Sequence, residues 1–110
     1  MYAVFNGIFV GAEPEQTIEK GSSTYRVQNA SFQELDESLK PIPGRYLVVE
    51  VWNQNLESLK GFKIGDRMAI DVEVITRRKL DKPERYRTRI TYVGHNEISE
   101  RTEWDELIIN

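Results

Sequence analysis

Apolar residues recur at every second position in several stretches of the chain, the spacing that places them on one side of a β-strand. The clearest is Arg45 to Trp52, where Leu47, Val49 and Val51 point one way and Tyr46, Val48, Glu50 and Trp52 the other. Arg67 to Arg77 repeats the pattern with Met68, Ile70, Val72 and Val74. Arg85 to Val93 does so with Tyr86, Thr88, Ile90 and Tyr92 against Arg85, Arg87, Arg89 and Thr91. Tyr2 to Val10 is aromatic and β-branched, and Gly7 and Gly11 mark it as a strand that bends. Thr24 to Phe32 alternates Tyr25, Val27 and Asn29 with Arg26, Gln28, Ala30 and Phe32.

The intervening segments carry breakers. Pro14 and the polar run to Ser23 end the first strand, and Asp36 to Gly44, with Pro41-Ile42-Pro43-Gly44, reads as a loop. Asn53 is placed to cap a short helix, Gln54 to Lys60, whose Leu56 and Leu59 share a face and whose stop is Gly61. Phe62 to Asp66 predicts a tight turn. The predicted order is three strands, a helix and two strands in an all-β fold. This is the element order of the five-stranded oligonucleotide/oligosaccharide-binding (OB) barrel, with its short helix between strands three and four.

Length changes the picture only by limiting it. With 110 residues there is room for one domain, here expected over 1–94, followed by an acidic tail over 95–110 with an apolar tip. The absence of cysteine excludes disulfides and thiolate metal sites, and the lone His95 has no partner in sequence for a metal site. No nucleophile elbow, phosphate-gripping glycine loop or histidine-centred triad is present, so neither catalytic residues nor a cofactor are expected. No apolar stretch approaches a membrane span, and the expected location is cytoplasmic.

Charge changes the picture most. Seven of the fifteen basic residues fall within 77–89: Arg77, Arg78, Lys79, Lys82, Arg85, Arg87 and Arg89. Only Asp81 and Glu84 offset them, although the whole chain carries a net charge of -3. A basic ridge beside aromatic strands is suited to following a phosphate backbone and stacking bases. Phe5, Phe9, Tyr25, Phe62 and Tyr92 are read as core, and Asp71 and Glu73 as solvated carboxylates on the outer face of the fourth strand.

Three stretches resemble the bacterial and phage single-stranded-DNA-binding proteins and their small OB-fold relatives. They are Gly11-Ala12-Glu13-Pro14-Glu15; Tyr46 to Trp52 with Leu56, Leu59 and the Lys63-Ile64-Gly65-Asp66 turn; and Glu84 to Ile90. Together they span roughly residues 7 to 93. The resemblance implies non-sequence-specific binding of single-stranded DNA, or of RNA, in replication, recombination or repair. Tyr46 and Trp52 would stack bases about 20 Å apart on one strand, and the seven basic residues would meet phosphates. It also implies a homo-oligomer, dimer or tetramer, and a tail that docks replication or repair proteins, here through Trp104, Asp105, Glu106, Leu107 and Ile108. The tail's own residues leave two alternatives open, packing of Trp104, Leu107 and Ile108 on the barrel or covering of the basic groove in competition with DNA. The family's further aromatic after the basic pair is absent at Leu80. With Glu50 and the acidic tail, that leaves two other readings open: a primosome-like protein-interaction adaptor, or a small structural component of a phage or multi-protein assembly.

Overall fold

Six strands and one short helix make up the computed structural model, which describes residues 1–78 and 86–98, and alternation of apolar with polar residues marks most of the strands. The strands are β1 (Tyr2–Ala12), β2 (Gln16–Lys20), β3 (Ser23–Leu35), β4 (Pro41–Trp52), β5 (Arg67–Arg78) and β6 (Tyr86–Glu97). They form one sheet in the order β1-β5-β6-β4-β3-β2, and a further β1–β3 pairing closes five of them into a ring of hydrogen-bonded strands. All neighbours are antiparallel except β4 and β6, which run parallel and pair at Glu50 and Thr91.

Inside the ring lie Phe9, Ala30, Phe32, Val49, Val51, Met68, Ile70, Val72 and Tyr92, and Leu56 and Leu59 of the helix cap them. These are the inward parities predicted for β4 and β5. Phe32 is fully buried and meets Phe5, Phe9 and Phe62 at ring-centroid distances of 5.5 to 6.2 Å, in tilted or edge-to-face geometry. Gly7 pairs with Glu34 on one side and Met68 on the other, where β1 closes the ring. A Cβ there would stand 3.1 Å from Phe32 Cβ.

Several expectations need correction. The polar run after Pro14 contains β2, a sixth strand with no buried residue, held by its ladder to β3. Gly21 and Ser22 make its two-residue turn, with Gly21 at φ +64, the conformation a Gly-first hairpin turn requires. Pro41 to Gly44 belongs to β4 rather than to a loop. Between the Leu35–Pro41 and Gln33–Tyr46 pairs, β4 carries three more residues than β3. The resulting bulge holds Pro43 where no ladder bond is needed. The loop proper is Asp36 to Lys40, and Asp36 Oδ1 accepts the backbone N–H of Ser38 at 2.8 Å and of Lys40 at 2.9 Å.

The helical segment is a 3-10 turn over Asn53–Asn55 followed by α1 (Leu56–Lys60). Asn53 does not cap it. Its Oδ1 accepts the Arg26 backbone N–H at 3.0 Å, tying the end of β4 to β3. Gly61 ends the helix at φ -83, not in the left-handed region. The turn at Lys63 to Asp66 forms as predicted: the Asp66 N–H donates to Lys63 O at 2.9 Å, and Gly65 sits at φ +99. The last strand runs through Gly94 to Glu97, so the 94/95 boundary falls inside β6, with His95 packed edge-to-face on Phe62 at 4.8 Å. No described helix is long and apolar enough to cross a membrane.

Candidate nucleic-acid interface

The outer parity of β4 carries Tyr46, Val48, Glu50 and Trp52, and β6 runs beside it with Arg87, Arg89 and Thr91 on its own outer parity. Glu50, Arg89 and Thr91 meet around Trp52. Trp52 is half-buried, with the Arg89 guanidinium carbon 5.5 Å from its ring centroid, within cation–π range. Glu50 connects the two residues. Its Oε1 accepts the Trp52 indole N–H at 3.2 Å, and both its oxygens take the Arg89 fork at 3.0 to 3.3 Å. The Glu50 carboxylate, which alone between two stacking rings would repel phosphate, is therefore matched by an arginine.

From Trp52 the surface continues over β6 onto β5. Glu50, Trp52, Ile75, Arg77, Arg89 and Thr91 line a concavity of about 220 Å³. A second, of about 190 Å³, shares Ile75, Arg77 and Arg89 with it and adds Arg87. The two make one trough with Ile75 as apolar floor. Arg77 and Arg87 are direct cross-strand partners and are both exposed. Neither forms an ion pair with another described residue. Like charges directly opposite one another destabilise a sheet, so this pair is a standing cost in the free protein that a bound anion would relieve.

Of the nine residues predicted to bind nucleic acid, the structure brings Trp52, Arg77, Arg87 and Arg89 together. Arg78 lies at the hairpin's outer end, opposite Tyr86. Tyr46 is 60% exposed on the same parity of β4 as Trp52. It is six residues away, and among the described residues it has no ring contact with Trp52, Arg77, Arg87 or Arg89. Lys79, Lys82 and Arg85 lie outside the described residues, as do Trp104, Asp105, Glu106, Leu107 and Ile108.

One aromatic assignment fails. Tyr25 is not core: it is 37% exposed on the outer side of β3, its ring 6.5 Å from that of Trp52 and nearly perpendicular to it. The signal was present in the sequence. Tyr25 shares its parity with Val27 and with the polar Asn29, Ser31 and Gln33, opposite the buried Ala30 and Phe32. Phe9 and Tyr92 are buried, and Phe5 and Phe62 pack against the core as expected.

A larger concavity, of about 510 Å³, lies away from the trough, lined by Glu57, Phe62, Asp66, Arg67, His95 and Glu97 among others. Its three carboxylates against one arginine suit it poorly to a polyanion. Beneath it the Tyr92 hydroxyl and His95 Nδ1 are 2.6 Å apart, and burial raises the Tyr92 phenol above its ordinary value. No group of three or more potential metal ligands occurs among the described residues. No protein-family model matches the chain, and no curated protein matches it.

Proposed function

We propose that this chain is an OB-type barrel that coats single-stranded DNA without strong sequence preference, in replication, recombination or repair. The ring order β1-β3-β4-β6-β5, with its parallel β4–β6 seam and the helix between β4 and β5, supports the OB reading. The observation that carries the function is the contact of Trp52 with Arg89 at the head of a trough whose other cations, Arg77 and Arg87, lack acidic partners among the described residues. Cations and a flat ring in one open groove meet the two features of a single strand that do not depend on sequence, its phosphates and its base faces. In the bound state a phosphate replaces Glu50 as the acceptor for Arg89, and the guanidinium moves off the indole to admit a base.

Self-association belongs to the same reading. Tyr2 and Val4 on the outer side of β1 are 72% and 64% exposed, an apolar strip of the kind that a second copy covers.

Fluorescence titration with oligo(dT) at two salt concentrations tests the proposal, using a Trp104→Phe background so that Trp52 is the only indole. Binding is expected to quench the emission. Log K should fall with log salt at a slope of roughly -2 to -3.5, which corresponds to three to five phosphates neutralised on a single strand. Unchanged emission and no salt-dependent binding would reject the proposal in favour of a protein-interaction adaptor.

A further inference from the structure

We infer that Tyr25 is a base-stacking residue, and that a bound strand leaves Trp52 across β3 towards the β2–β3 hairpin rather than along β4 towards Tyr46. The inference rests on the single-strand reading above and extends it to a path. Tyr25 is the diagonal neighbour of Trp52, since Val27 is the direct partner of Trp52 and Tyr25 lies two residues further along β3. Val27 is 7% exposed on this outer parity, between Gln16 and Trp52, so the outer surface has a closed apolar floor at this point. Tyr25 pairs in turn with Ile18 of β2, which is 40% exposed.

The result is a diagonal series across five neighbouring strands: Arg77 on β5, Arg89 on β6, Trp52 on β4, Tyr25 on β3 and Ile18 on β2. At about 4.8 Å per strand, four steps cover about 19 Å, room for several nucleotides. The chemistry changes in order along it. Cations at the β5–β6 end meet phosphate, and exposed rings and an aliphatic side chain at the β2–β3 end meet base faces. Along β4, by contrast, the side chain on this parity between Glu50 and Tyr46 is Val48, 52% exposed, and no cation among the described residues is engaged with Tyr46. A strand laid that way would have bases to stack at each end and only the Glu50 carboxylate and Val48 between them.

The test compares binding of fluorescein-labelled oligo(dT) by the full chain and by Tyr25→Ala, Tyr25→Phe, Tyr46→Ala and Trp52→Ala, with thermal unfolding of each variant. Tyr25→Ala is expected to weaken binding by about 5- to 150-fold at an unchanged salt slope, the range of one lost base stack. Tyr25→Phe and Tyr46→Ala should stay within about twofold of the parent. Binding by Tyr25→Ala equal to the parent, or a larger loss in Tyr46→Ala, overturns the path while leaving the single-strand reading intact, provided Trp52→Ala still weakens binding. Failure of the parent itself to bind overturns both. Photocrosslinking of the unsubstituted protein to 5-iododeoxyuridine oligomers needs no variant to fold. Adducts at Trp52 and Tyr25 support the path, and adducts at Trp52 and Tyr46 without Tyr25 overturn it.

Discussion

Arg89 is held by both carboxylate oxygens of Glu50 while its guanidinium lies over Trp52. One acidic residue thus occupies the cation, and the cation occupies the ring. Glu50→Gln removes the competing charge and keeps an acceptor for the indole N–H. A part-exposed ion pair of this kind contributes about 0.2–1 kcal/mol, so oligo(dT) affinity is expected to rise by about 1.5- to 5-fold, with a steeper salt slope. Anisotropy titrations at two salt concentrations measure both. A fall in affinity would mean that Glu50 aims Arg89 at its ligand instead of withholding it.

Arg77 and Arg87 face each other across β5 and β6 without an acidic partner among the described residues. Their repulsion is worth about 0.2–1 kcal/mol, so replacing both by alanine should raise resistance to urea slightly while reducing the magnitude of the salt slope by about 1.4. Opposite signs for folding and binding are the mark of a charge pair kept for a ligand. Loss of stability together with an unchanged slope would assign the two arginines to the hairpin itself.

How far these features could be read from sequence depends on what holds each of them. β4, β5 and β6 were legible because one parity of each is buried: Val49 and Val51, Met68, Ile70 and Val72, and Tyr92. β2 was not, because all five of its residues are exposed and only backbone pairing defines it; its one local signal was the Gly21-Ser22 pair. Pro41 and Pro43 masked the start of β4, since a bulge admits prolines that a regular ladder excludes. The basic window and Trp52 stood out by composition. The partnership of Glu50 with Arg89 spans 39 residues and follows from the parallel β4–β6 seam, which no local pattern encodes. Tyr25 was misassigned because its size suggested the core, although its parity placed it outside.

Gly7 makes the ring closure sensitive to a single methyl group. It is paired on both sides, and an added Cβ would lie 3.1 Å from Phe32 Cβ, 3.1 Å from Phe5 Cε2 and 3.3 Å from the Gln33 carbonyl oxygen. Two of those atoms belong to backbone or to a fully buried side chain and have little room to retreat. Gly7→Ala is therefore expected to destabilise the fold by about 1–3 kcal/mol through overpacking, outweighing the gain from a stiffer unfolded chain. Gly61→Ala, whose Cβ would meet only Ser58 O at 3.5 Å, is the matched control and should change stability little. Chemical denaturation of the two variants separates these outcomes, and equal stabilities would show that β1 and β3 can move apart at this point.

Tyr92 gives the fold an alkaline limit. Burial pushes its phenol above the ordinary value, the negative charge of Asp71 acts in the same direction, and a hydrogen bond with Ser58 opposes them. An acid held neutral by folding contributes stability that is fully present below the unfolded-state value, about 10 for tyrosine. That contribution is lost as pH rises towards the raised folded-state value, because over that interval the unfolded chain has given up the proton and the native one still binds it. The slope approaches about 1.4 kcal/mol per pH unit for one proton. Tyr92→Phe removes this titration and the contact with His95 Nδ1. It should cost about 1 kcal/mol at neutral pH and then lose less stability than the parent between pH 9 and 11. The other tyrosines are common to both proteins, so the difference between their urea-unfolding curves isolates this residue. Parallel curves over that interval would place Tyr92 at its ordinary value and remove burial as the cause.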